Sequence, residues 1–127
     1  MKYLCLGYYD AEAMDARPSA EIEALMSQCR PHMAGLYGSG RVLVDAGLDL
    51  ETRSLRRVGG QVEVTADRVV DSRLKIGGVF IVEADDLDDA MRVARLHPTT
   101  RVSDGEAFGW AIEIRPIHTW WEDPSRA

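Results

Sequence analysis

The chain has 127 residues, 46% hydrophobic and 28% charged, which suits one domain that buries roughly two thirds of its unfolded surface without metals or disulfides. Its net charge of −6 argues against a nucleic-acid partner, because affinity for phosphate backbones comes mostly from Lys and Arg displacing counterions. Cys5 and Cys29 sit among apolar neighbours and read as small buried hydrophobes, and the scattered His32, His97 and His118, with no Cys pair at ligand spacing, argue against a zinc site.

The opening MKYLCLGYYD is interrupted by Gly7 and closed by Asp10, too short for a secretory signal or a membrane span, so a cytoplasmic protein with no membrane partner is expected. Tyr3 to Tyr9 reads as a strand, and the acidic, alanine-rich DAEAMDARPS as a loop. From Ser19 the apolar residues Ile22, Leu25, Met26, Cys29, Met33, Leu36 and Tyr37 recur at steps of three and four, a helical stripe with Ser19 as N-cap and Gly38 and Gly40 as its stop. Pro31 lacks the N–H that would bond the Ser27 carbonyl, so a kink or restart is expected there, with Pro31 opening a second short helix.

RVLVDAGL is a further strand, and RSLRRV and QVEVT form a hairpin around Gly59-Gly60, a dipeptide suited to the positive φ angles of a tight turn. The segment Ala66 to Ile76 mixes charges and aliphatics without a period. It reads as a surface flap at the mouth of a cavity, released by Gly77-Gly78 before the strand GGVFIVEA. Asp86 caps a helix with Leu87, Ala90, Met91 and Ala94 on one face. Asp88 and Asp89 in its first turn suit the helix dipole better than a metal. FGWAIEIRPI is the last strand, giving a domain over 1–117 and a polar tail over 118–127.

This order of elements predicts an α+β, ferredoxin-like sandwich with helices on one face of a mainly antiparallel sheet. The stretches YLCLGYY and VFIV are apolar on both faces, so the face without helices needs a cover, and a second copy making a homodimer is the simplest one.

MKYLCLGYY, SAEIEALM, GRVLVDAGL, VEVT, GGVFIVEADDLDDAMRVARLHP and IEIRPI, in that order and spacing, resemble the YCII-related proteins of the DGPF type, over nearly the whole chain to Ile117. The resemblance implies a ferredoxin-like fold that pairs into a dimeric α/β barrel, with function mostly unassigned. Where relatives carry D-G-P-F this chain reads Ala66, Asp67, Arg68 and Val69. The polar residues that follow are kept in kind as Asp71, Ser72 and Arg73 ahead of Gly77-Gly78. A second branch carries a histidine in R-P-x-H-L that works with an aspartate, and RPHMAGL resembles it one residue short, with His32 on the same helix.

These readings nominate His32 as a general acid/base, or else as a core-edge histidine, with Asp49 as its orienting carboxylate and Asp45 as the alternative. A helix restart at Pro31 would place His32 near positive helix-end charge and favour its neutral form. Arg73 and Arg68, with Asp71, are candidates for binding a small anionic ligand, or else form a solvated sheet edge. Two functions stay open: a cofactor-free enzyme acting on a small polar or anionic metabolite, and a non-catalytic ligand-binding or regulatory protein using the same cavity.

Overall fold

In the computed structural model, which describes residues 1–126, six strands follow one another as β1 (Lys2–Asp10), β2 (Val42–Gly47), β3 (Ser54–Val58), β4 (Gln61–Thr65), β5 (Leu74–Glu83) and β6 (Ala111–Pro116). Four of them make an antiparallel sheet in the order β2-β5-β1-β6, and the helices α2 (Ser19–Gly38) and α3 (Leu87–Ala94) pack on one face of it. This is the ferredoxin-like α+β sandwich that the element order predicts. Strand alternation turns Tyr3, Cys5, Phe80 and Val82 to the helices, where they meet Leu36 of α2 and Ala90, Val93 and Ala94 of α3 in the main core. Leu4, Leu6, Val79 and Ile81 take the opposite parity and stay only partly buried. No helix of the described residues is long and apolar enough to cross a membrane.

The hairpin of β3 and β4 turns at Gly59 and Gly60, whose φ angles of 58° and 82° are the left-handed pair a two-residue turn requires. It stands as its own two-stranded sheet. Asp86 caps α3 as expected, accepting from the Asp89 N–H at 2.8 Å. The Asp89 carboxylate itself takes the Arg41 guanidinium and the Asp85 N–H, so its oxygens are already used within the fold.

Four local expectations are corrected. The segment read as a loop after β1 contains the short helix α1 (Ala11–Asp15), because the Asp10 carboxylate accepts from the Ala13 N–H at 3.1 Å and alanines follow. Ser19 is the first helical residue of α2 rather than its cap. Pro18, with φ at −58°, holds that place without a side-chain bond. The helix then runs unbroken through Pro31. Pro31 and Ser27 are both exposed, so water can take the carbonyl that proline leaves unbonded, while Leu25, Cys29 and Leu36 anchor the helix on either side. His32 therefore lies in mid-helix, without the helix-end charge expected for it. Finally, β5 begins at Leu74, so Gly77-Gly78 lies inside the strand, not ahead of it. Gly77 is the extra residue of a bulge, since Gly7 pairs with Gly78 and Tyr8 with Ile76.

Candidate active site

Three glycines line up across the sheet: Gly7 on β1 pairs with Gly78 on β5, which pairs with Gly47 on β2. Each shares its face with a helix-side residue two positions away, the buried Cys5 and Phe80 and the exposed Asp45 respectively, so each omits a side chain on the helix side. Val or Leu at such positions would add about 1.5–3 kcal/mol apiece if fully buried. The fold forgoes that packing, and beneath α2 it leaves a cavity of about 370 Å³, within the range of small-molecule sites. The glycine row is its floor. Met26, Cys29 and Met33 of α2 also line it, and Tyr9, Phe80 and Trp110 supply aromatic walls.

The polar side chains at this cavity include Asp45, His97 and Thr99, alongside the phenols of Tyr8 and Tyr9. His97 precedes the helix α4 (Pro98–Arg101). The following proline keeps its backbone extended, with φ −65° and ψ 144°, and its ring caps the helix. Nδ1 accepts from the Thr99 N–H at 3.1 Å, and the Thr99 hydroxyl lies 2.6 Å from the same nitrogen. A nitrogen that accepts from an amide holds a lone pair, so the neutral ring carries its proton on Nε2. Phe80 stacks parallel on the imidazole, centroids 5.1 Å apart and planes within 2°. Burial holds the His97 pKa below its ordinary 6.5, against the opposing pull of the Asp45 carboxylate. Asp45 in turn accepts a hydrogen bond from the Tyr37 hydroxyl of α2, and that bond, with burial, pushes the Tyr37 pKa upward. Asp45 is thus fixed by one helix and His97 by the start of another.

A depressed histidine pKa has a consequence for stability. The unfolded ring titrates near 6.5 and the folded ring lower, so between those values the unfolded chain binds more protons. Stability is then full above pH ~6.5 and falls as pH drops through the folded value. Asp10, Glu83 and Asp89 are also depressed, chiefly by hydrogen bonds to Ala13, the N-terminus and Asp85, but their window opens only below about 4. Urea midpoints from pH 7.5 to 5 should therefore decline in the native protein and stay flatter in His97→Gln. Equal slopes would show that the ring is not held neutral by burial.

The residues nominated from sequence fall in several places. His32 is half-buried on α2 and does not line the cavity, although its neighbour Met33 does. Asp49 is exposed and follows Leu48 at the cavity edge, close enough to Tyr9 to help burial raise that phenol's pKa. Arg73 pairs with Asp10 at 2.6 Å, its side chain 77% exposed, and so braces the carboxylate that caps α1. Arg68 donates to the Ser72 and Leu74 carbonyls at 2.9 and 2.6 Å, which shapes its own loop, and Asp71 is exposed. None of Arg68, Asp71 and Arg73 lines the cavity. The residues that the sequence reading passed over are His97 and the glycine row. Their signals were a histidine directly before a helix-opening proline, and glycines inside three strand patterns, where they mark close backbone approach.

The family model of the YCII-related domain matches residues 1–120. No curated protein matches the chain. Among solved structures, the chain is similar to 5-chloro-2-hydroxyhydroquinone dehydrochlorinase from Burkholderia phenoliruptrix, in complex with 2,5-dihydroxybenzoquinone. The identity is 16% and the TM-score 0.48, over 99% of this chain and 98% of that one.

Proposed function

We propose, from the premise that this chain belongs to the YCII-related family, that it is a small enzyme acting on a small molecule in the glycine-floored cavity, with Asp45 and His97 as its acid–base pair. The observation that carries this reading is the division of labour between the two groups. With Nδ1 occupied by Thr99, the neutral His97 can only donate through Nε2–H, while Asp45, held by Tyr37, can only accept. Asp45 therefore takes a proton from the ligand, and His97 donates to the ligand oxygen on which negative charge grows. Asp49 sits at the rim, His32 lies outside the cavity, Arg68 and Arg73 keep the flanking loop and α1 in place, and Asp71 stays in solvent. Non-catalytic binding at the same atoms is the alternative, and it lacks the proton transfer.

The test is exchange of an acidic hydrogen of a bound ligand with D₂O, after a thermal-shift screen of small hydroxy and carbonyl compounds has found a binder. An enzyme of this kind should catalyse that exchange, and Asp45→Asn should slow it about 10²-fold or more while still binding. A ligand that binds but never exchanges faster than in buffer would leave the binding protein as the answer.

The same reading includes a homodimer that closes an α/β barrel over the sheet's other face. Its support is the partly buried row Leu4, Leu6, Val79 and Ile81, together with Leu55, Val62 and Val64 on one face of the hairpin, 59–68% exposed. Sedimentation at micromolar concentration should return the mass of two chains, and Ile81→Glu should halve it. A monomer at tens of micromolar would remove this part of the proposal.

A further inference from the structure

We infer that the ligand is a flat, unsaturated ring bearing an oxygen, lying face-down on the row Gly7, Gly78 and Gly47; this rests on the cavity being the ligand site. Three neighbouring strands about 4.8 Å apart present a strip about 10 Å wide, made of peptide planes alone where the glycines meet. Such a strip fits a π face closely, whereas one side chain on it would hold a ring off the backbone. Opposite lie Met26, Cys29 and Met33, a stripe at helical spacing in which every side chain carries sulfur. Thioethers pack favourably against aromatic rings and adapt to their outline. The Cys29 thiol donates to the Leu25 carbonyl at 3.5 Å, and burial pushes its pKa up, so it serves this surface as a neutral group. The parallel Phe80–His97 stack and Trp110 extend the aromatic lining. The slot thus offers backbone on one face and sulfur on the other, with polar side chains at its edge in Asp45, His97 and Thr99 and phenol rings in Tyr8 and Tyr9. A ring that lies in it with an oxygen at its edge meets that donor and acceptor without burying an unpaired polar group.

Gly47 is the position at which to test the slot. A Cβ built there meets nothing within 4 Å, whereas at Gly78 it would lie 3.2 Å from the Ala46 carbonyl oxygen. Gly47→Val should therefore fold and fill part of the slot, with Gly47→Ala as the milder second variant. Benzyl alcohol and cyclohexylmethanol carry the same alcohol on a flat and on a puckered ring, so they serve as probes, followed by the His97 imidazole signals. Benzyl alcohol should bind at least tenfold more tightly than cyclohexylmethanol. Gly47→Val should weaken benzyl alcohol at least tenfold without lowering the melting temperature, and Gly47→Ala should weaken it less. Equal affinity for the two alcohols, or benzyl alcohol binding unchanged in both variants, would overturn the flat-ring slot and leave the cavity as a site for another shape. If neither alcohol moves the His97 signals at tens of millimolar, the ligand site itself is misplaced, and the slot falls with it.

Discussion

Phe80→Ala should cost about 3–5 kcal/mol of stability, the usual range for deleting a buried aromatic side chain. Phe80 is 2% exposed and its backbone pairs with Cys5 on one side and Asp45 on the other, so it joins the two strands that carry the core and the acceptor carboxylate. Its ring also covers His97. Truncation opens the cavity into the core and admits water to the imidazole. The His97 pKa should therefore climb back toward 6.5 as the melting temperature falls, by about 4 °C per kcal/mol. Phe80→Leu should retain most of the stability but not the stack. Urea denaturation with an NMR titration of His97 measures both effects. A loss below 1 kcal/mol, or an unmoved histidine, would show that Phe80 does not couple fold and site.

The second large effect is expected from an addition. Gly105 is buried, and a Cβ there would stand 2.8 Å from Trp110 Cδ2 and closer still to Cε3 of the same ring. Trp110 cannot yield freely, because it packs near Phe108, centroids 6.5 Å apart, and forms a wall of the cavity. Gly105→Ala should therefore destabilise by about 1–3 kcal/mol and shift Trp110 fluorescence. With Trp110→Ala in the background, the added methyl should cost little, since the clash it makes is gone. Gly35 gives the contrast. It lies inside α2 with nothing within 4 Å of a built Cβ, so Gly35→Ala should stabilise by roughly 0.5–1 kcal/mol. A neutral or stabilising Gly105→Ala beside a destabilising Gly35→Ala would overturn the packing assigned to the two glycines.

Sequence alone determined the fold class, because its evidence is local and repeated. The aliphatic runs around Cys5 and Phe80, the stripe Leu25–Cys29–Leu36, the Gly59-Gly60 turn and the Asp86 cap each depend on near neighbours, and together they allow few topologies. Local evidence failed where the deciding partner was distant or was water. Solvent at Ser27 and burial on both sides carry α2 through Pro31, which propensity alone would break. Asp45 was legible in the sequence as a candidate carboxylate, but the assembly of the site around it belonged to tertiary structure. Gly7, Gly47 and Gly78 are far apart in the chain, and only strand register aligns them into a floor. Asp45 and His97 come from different elements, and only packing against Tyr37, Thr99 and Phe80 gives one its acceptor role and the other its donor tautomer. His32 and Arg73 carry the more familiar local patterns, a histidine beside a helical proline and an arginine before a glycine pair. The fold gives Arg73 a structural partner in Asp10 and leaves His32 outside the cavity, because what a side chain faces is set by the register and layer it joins.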